Sequence, residues 1–106
     1  GISTASINEN KNSVQKSNLE NYPNPFSTFT IITFNAPTPD YYSLKILDIM
    51  GKEIAVLYNN KLIMGKYTVD WDGTNYKGEQ VCSGVYLTQI TSAGGFIETG
   101  KILLQK

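Results

Sequence analysis

The alternation of apolar and polar residues with a period of two is the feature that most constrains how this chain folds. It is clearest in residues 30–36, where Ile32, Phe34 and Ala36 fall on one face of an extended chain. Further strands are predicted at 42–46, 54–57, 65–71, 83–90 and 96–105. No segment has a convincing helical period. A strand with one apolar face must bury it against a second sheet, so the sequence predicts a small all-β sandwich of antiparallel strands.

Turn signals separate these strands. In the turn from Asp48 to Glu53, Gly51 occupies the position expected to need a positive φ. A polar loop is predicted at 59–61, a longer loop at 72–80 and a turn at 92–95. Trp71 and Tyr86 are the largest side chains expected to anchor the core.

The first 18 residues are rich in Ser and Asn and predict a polar linker, so residues 19–106 remain for one small domain. The only sizeable apolar side chains in the linker and directly after it are Ile2, Ile7, Val14 and Leu19. One or more of them could dock on the domain. The chain begins at Gly1 without Met, from which we expect a segment cut from a longer precursor. No run is long and apolar enough for a membrane span.

The composition excludes several kinds of function. The formal net charge is zero, and all nine cationic residues are Lys, which argues against nucleic-acid binding and against an anionic membrane surface. The absence of His removes the usual general base and His-ligated zinc, so we expect a non-enzyme without cofactor or metal. The one cysteine, Cys82, can form no intrachain disulfide and is expected to be a small buried strand residue.

The stretch Tyr22–Phe26, YPNPF, sets two prolines around one asparagine. Proline fixes φ and biases the preceding residue towards extended conformations, so the stretch predicts a rigid lead-in at a sheet edge or just before a strand. It would seat Tyr22 and Phe26 on the sandwich; direct contact with a partner is the alternative interpretation.

Two other stretches could carry chemistry. Asp70, Asp72, Asn75 and Glu79 resemble part of a calcium loop, but their spacing favours a turn in which Asp72 bonds its own backbone and Gly73 takes a positive φ. Neither Ser83 nor Cys82 has a His partner, so Gly84 more plausibly permits a bulge or a close backbone approach.

The terminal strand GKILLQK, residues 100–106, is the best candidate for recognition. At a sheet edge its backbone could pair with a receptor strand or with a second copy of the chain, with Lys101 and Lys106 guarding against aggregation or contacting an acidic surface. The alternative is an ordinary core strand with solvated lysines.

Five motifs occur in order: YPNPF, LKILDIMGKEI, GKYTVDWDG, GEQVCSGVYL and a final GKILLQK. This order closely resembles the type A C-terminal sorting domain of the type IX (Por) secretion system, over essentially the whole chain. Two positions depart from the pattern, namely Leu47, where Tyr is frequent, and Cys82, where Ala or Ser is common. The residues matching family motifs are Tyr22, Pro23, Asn24, Pro25, Phe26, Asp48, Gly51, Trp71, Asp72, Gly73, Ser83, Gly84, Val85, Tyr86, Lys101 and Lys106.

The resemblance implies an immunoglobulin-like antiparallel β-sandwich of about seven strands and a non-catalytic address label. A cargo protein upstream in the same precursor would pass through the periplasm and the type IX translocon to the cell surface. A sortase-like surface peptidase would usually then remove the domain. Two other classes stay open: an accessory carbohydrate-binding or surface-binding module using Tyr41, Tyr58 and Tyr76, and an assembly domain like that of flagellar hook-capping proteins.

Overall fold

Seven β-strands form all the regular secondary structure in the part of the chain that the computed structural model describes, residues 19–106. The predicted linker at 1–18, with Ile2, Ile7 and Val14, lies outside the described residues. No helix between Leu19 and Lys106 is long and apolar enough to cross a membrane. The strands are β1 (Glu20–Tyr22), β2 (Thr30–Ala36), β3 (Asp40–Leu47), β4 (Glu53–Leu62), β5 (Gly65–Trp71), β6 (Gly84–Ser92) and β7 (Ile97–Leu104).

The strands form two sheets with only antiparallel neighbours. The smaller sheet has the order β1-β2-β5 and the larger sheet β4-β3-β6-β7. The predicted alternation is confirmed, because every second residue of β2 from Thr30 to Ala36 is buried while the residues between them are not. The all-β fold of about seven strands is therefore as the sequence predicts.

An aromatic row crosses the core. The Phe26 and Trp71 rings lie 5.5 Å apart between centroids, and those of Trp71 and Tyr86 lie 5.6 Å apart. Leu19 is buried as well, which confirms that an apolar residue from the start of the domain docks on it. Burial of each such side chain stabilises the fold by roughly 1.5–3 kcal/mol. Trp71 and Tyr86 are thus core anchors, as predicted.

Two strand predictions are wrong. Residues 59–61 form no loop, since β4 continues through them and pairs Asn59 and Lys61 with β3. Their polar side chains are compatible with a strand because β4 is an edge strand whose outer side faces water. Residues 20–22 form the unpredicted edge strand β1, whose three residues are too few to show a period.

Cys82 also differs from expectation, because it lies exposed in the loop before β6. Gly84 does begin β6, but its pairing with Leu104 continues without a register shift, and a Cβ built on it would meet nothing within 4 Å. The predicted bulge or close approach is therefore wrong; the glycine accommodates a backbone φ of 154°.

Three tyrosines bond the chain back onto itself in the same way. Each is the third residue of its strand, and its hydroxyl donates to the carbonyl four residues earlier. The hydrogen bonds are Tyr42 to Thr38 (2.6 Å), Tyr67 to Ile63 (2.8 Å) and Tyr86 to Cys82 (2.6 Å). Each ring extends the apolar inner face of the strand while its hydroxyl fixes the preceding loop.

Candidate recognition surface at one pole of the sandwich

All the family motifs meet at one end of the sandwich, which we call the motif pole. In this antiparallel arrangement β1, β3, β5 and β7 end there, and β2, β4 and β6 begin there. The motif pole therefore consists of the connection 23–29, the turn 48–52, the loop 72–83 and the tail 105–106. Segments far apart in sequence come together because each precedes or follows a strand at the same end.

Asn24 connects the YPNPF stretch to the terminal strand. Its Nδ2 donates to the Lys101 carbonyl at 3.1 Å, and its Oδ1 accepts from the Leu103 amide at 3.0 Å. One side-chain amide thus satisfies a donor and an acceptor on β7 as a neighbouring strand would. This contact explains the asparagine between two prolines, both of which have cis peptide bonds, because neither proline nitrogen can donate.

Phe26 continues the same pairing. Its amide donates to the Leu103 carbonyl at 3.0 Å, its carbonyl accepts from the Gln105 amide at 2.8 Å, and its ring is 3% exposed. Together Asn24 and Phe26 form what we call the edge clamp. β7 lies at a sheet edge, the condition for the recognition role, but its outward backbone groups from Lys101 to Gln105 are already paired.

The predicted role of YPNPF as a lead-in needs correction. The stretch begins at Tyr22, the last residue of β1, and continues into the connection from β1 to β2, so it is not the entry to the domain. Phe26 is seated in the core, whereas Tyr22 is 80% exposed. Pro23 is held through its carbonyl, which accepts from the Thr30 hydroxyl at 2.8 Å. The sequence could not show this because the clamp depends on a strand more than 70 residues away.

The Trp-Asp-Gly stretch forms a self-satisfied turn. Trp71 Nε1 donates to the Thr74 carbonyl at 2.8 Å, and Asp72 Oδ1 accepts from the amide and hydroxyl of Thr74 at 3.2 and 2.6 Å. Gly73 has a φ of 80°, and a Cβ there would come within 3.5 Å of Leu104. The structure contains the turn that the sequence predicts for this stretch, and the turn packs on the terminal strand.

In the possible calcium loop, Asn75 and one oxygen each of Asp72 and Glu79 are engaged in hydrogen bonds within the loop. Asn75 Oδ1 accepts from the amides of Lys77 and Glu79, and its Nδ2 donates to Glu79 Oε1. Within residues 19–106, no three His, Cys, Asp or Glu side chains form a group that could hold a metal ion.

The tail is fastened to the loop before β6. The Lys106 amide donates to Ser83 Oγ at 3.1 Å, and its ammonium donates to the Val81 carbonyl at 2.6 Å. Next to this loop, burial raises the pKa of Tyr86, and the nearby Cys82 and Asp48 add to the effect. Tyr86 is therefore neutral at physiological pH and donates to Cys82.

The turn between β3 and β4 is built around Asp48, whose Oδ1 accepts from the amides of Met50 and Lys52 at 2.9 and 2.8 Å. Gly51 has the expected positive φ, 88°. Ile49 and Met50 project from the tip, with Met50 87% exposed. The sequence analysis did not identify these two residues. The sequence signal for them is a pair of apolar residues within a turn, where their side chains have no core to pack against.

The motif residues thus divide into two groups. Most of them stabilise the motif pole by packing in the core or by making hydrogen bonds within turns. The larger exposed side chains among them are Tyr22, Val85, Lys101 and Lys106, to which the structure adds Ile49 and Met50. Val85 lies opposite the half-exposed Leu103 on the outer face of the larger sheet. A partner at the motif pole would meet these side chains first.

Comparison of the chain with protein families gives one match. The model of the FlgD Ig-like domain matches residues 27–95. The chain belongs to this family. This FlgD-type domain is the immunoglobulin-like sandwich that the sequence predicts. The matched range leaves out YPNPF, which ends at Phe26, and all of β7. No curated protein sequence matches the chain.

Among the solved structures similar to this chain are two that share the fold. PorZ, an essential bacterial surface component of the type IX secretion system of Porphyromonas gingivalis, has a TM-score of 0.57 at 21% identity, covering 83% of this chain and 11% of PorZ. FlgD from Xanthomonas campestris, a hook-capping protein of flagellar assembly, has a TM-score of 0.53 at 19% identity, covering 82% and 62%. The chain therefore corresponds to only part of each of these proteins.

Proposed function

We propose that this FlgD-type domain is a non-catalytic sorting signal that directs an attached cargo protein through the type IX translocon to the cell surface. The observation that carries the proposal is the edge clamp. YPNPF and the terminal strand are the two motifs that lie outside the matched family range, and both belong to the sorting-domain pattern. They bond to each other through four hydrogen bonds.

The proposed mechanism is recognition of a preformed surface. The clamp fixes the connection after β1, which lies close to the amino end where upstream cargo would be attached, to the terminal strand. A receptor that contacts the motif pole then orders few groups on binding, which lowers the entropic cost. The bond later cut by a sortase-like peptidase would lie in residues 1–18 or upstream. The resulting protein would be released or held at the surface of a Gram-negative cell.

A reporter fusion tests this proposal. Fused to the amino end of this chain behind an export signal, the reporter should reach the surface of a type IX-competent cell. Deleting the last five residues should leave the fusion periplasmic, but it also removes buried Ile102 and Leu104 and would unfold the domain. A substitution that leaves the core intact is therefore the sharper test.

Lys101→Glu is that substitution, because Lys101 is exposed at the terminal strand and only its backbone carbonyl joins the clamp. Reversing a charge at a recognition surface should reduce surface reporter about tenfold or more, with an unchanged melting temperature. Lys66→Glu, an exposed lysine on β5, is the matched control and should be exported normally. A wild-type fusion that stays periplasmic would disprove the sorting role. Normal export of the Lys101→Glu fusion would show that Lys101 does not contribute to recognition.

An assembly role like that of hook-capping proteins is the second candidate. The family match and the exposed Ile49 and Met50 at the hairpin tip favour it. It requires the domain to function as part of a multimer, so the intact protein should form defined oligomers that Met50→Ser disrupts.

A carbohydrate platform has less support, because its three tyrosines do not share a surface. Tyr58 packs on Phe34 with ring centroids 6.4 Å apart, whereas Tyr41 lies 5.9 Å from the Lys61 ammonium. Tyr76 belongs to the loop at the motif pole.

A further inference from the structure

The two long sides of the sandwich are closed to different extents. On one side the edges β1 and β7 face each other, and the chain itself fills the space between them with Leu19 and the edge clamp. On the other side the edges β4 and β5 face each other; residues 63–64 join them at the end away from the motif pole, and near the pole the loop after β5 reaches β4 through a hydrogen bond from the Tyr76 amide to the Ile54 carbonyl, 3.1 Å. Between these two connections a cleft remains, lined by residues of β4, β5 and the loop after β5.

A cleft of about 380 Å³ runs along this second side near the motif pole. Its walls are the backbone edge of β4 at Ala55–Leu57, the end of β5 and the following turn at Asp70–Asp72, and the rings of Phe29 and Tyr76. Phe29 is 45% and Tyr76 75% exposed, so both aromatic surfaces are available to a ligand. An exposed sheet edge beside pockets that accept side chains is one of the settings in which proteins bind extended peptides.

The polar groups of the cleft select a cation. Asp70 and Asp72 line it, and no lysine does. Within residues 19–106 the Asp70 carboxylate makes no hydrogen bond or ion pair, whereas the side-chain amide of Asn75 and the hydroxyl of Thr74 are already used. The cleft therefore offers carboxylate acceptors and aromatic faces but few side-chain donors. Ammonium and guanidinium groups fit this combination, while a sugar needs donors as well.

The adjoining depression beyond Tyr76 has no such preference. Its charged lining residues are Lys52, Lys77, Glu53 and Glu79, which balance. Of these two neighbouring depressions, the cleft beside Asp70 is the one with an excess of negative charge.

We propose that the cleft between β4 and β5 is a docking groove for an extended segment of a partner protein that places a Lys or Arg side chain between Asp70 and the exposed aromatic rings. The segment would fill the open side of the sandwich as the chain's own residues 19–26 fill the other. The proposal rests on the sorting function above and identifies the partner as a protein of the translocation machinery.

Asp70→Lys in the reporter fusion tests the groove. Glu20→Lys is the matched control, because Glu20 is also an exposed carboxylate on an edge strand of the same sheet, at the opposite edge. Asp70→Lys should lower surface reporter about tenfold or more through repulsion of the partner's cation, with an unchanged melting temperature, whereas Glu20→Lys should be exported normally. Tyr76→Ala should also reduce export.

Four outcomes separate the possibilities. Wild-type export together with normal export of Asp70→Lys overturns the groove and leaves the sorting function standing; failure of the wild-type fusion overturns the sorting function itself. Asp70→Asn distinguishes the chemistry of the occupant, since it preserves shape but removes charge. Loss of export in Asp70→Asn and retention in Asp70→Glu support a cationic segment. Normal export of Asp70→Asn with loss in Tyr76→Ala contradicts the cation and indicates an apolar or glycan occupant.

Discussion

At the level of the residue, Tyr86 packs in the core through its ring and fixes the preceding loop through its hydroxyl group. Its ring contacts Trp71, and its hydroxyl holds the Cys82 carbonyl at 2.6 Å. The same arrangement at Tyr42 and Tyr67 shows that a tyrosine at the third position of a strand serves both purposes in this domain. Phenylalanine would fill the core equally well but leave the carbonyl without its donor.

Tyr86→Phe should therefore lower the free energy of unfolding by about 1–2 kcal/mol, the cost of a partly buried acceptor that loses its partner. Urea denaturation at neutral pH measures the change. Tyr22→Phe is the control, and since Tyr22 is largely exposed its effect should stay within about 0.5 kcal/mol.

The raised pKa of Tyr86 gives this prediction a dependence on pH. Burial, with smaller contributions from Cys82 and Asp48, raises it above the ordinary value of 10.0, so the folded state holds the phenolic proton more tightly than the unfolded state. The contribution of the raised Tyr86 pKa to the free energy of unfolding is complete below pH 10 and is lost as the pH rises through the pKa of the folded state. The stability difference between wild type and Tyr86→Phe should therefore shrink above pH 10; a constant difference would contradict the assigned shift.

At the level of the element, the terminal strand is an edge that the chain protects with a side chain. Unpaired strand edges recruit other strands, and Asn24 occupies the donor and acceptor positions that a second copy would use. The edge-strand dimer anticipated from the sequence would therefore compete with the clamp, and the wild-type domain should resist pairing through Lys101–Gln105.

Asn24→Ala should open this edge. We expect a loss of about 1–2 kcal/mol from two hydrogen bonds and concentration-dependent self-association in sedimentation equilibrium. Asn35→Ala, on the outer face of β2, is the control and should remain monomeric. A strictly monomeric Asn24→Ala protein would show that Phe26 alone protects the strand.

At the level of the whole molecule, the residues that join the two sheets come from segments at both ends of the domain. Phe26 packs on Trp71 of the smaller sheet while its backbone pairs with β7 of the larger sheet. Although Phe26 lies outside the matched family range, its removal should affect the entire fold.

Phe26→Ala should cost about 3–5 kcal/mol, as for other buried aromatic side chains, a large part of the stability of a small domain. Thermal unfolding followed by the fluorescence of the one tryptophan, Trp71, measures it. Phe29→Ala, three residues away and nearly half exposed, should be far milder. Equal effects of the two substitutions would contradict the role of Phe26 in joining the sheets.

The sequence by itself determined the strands, their buried faces and the turns, because period-two alternation and the backbone demands of Gly51 and Gly73 are local properties. It failed where local signals are ambiguous: the polar residues 59–61 belong to an edge strand, and Cys82 to a loop. Only the tertiary structure decided which strand edges are closed. The contacts from Asn24 to β7 span 77 and 79 residues, and pairing over such distances depends on the order of strands in the sheets, which no local pattern encodes.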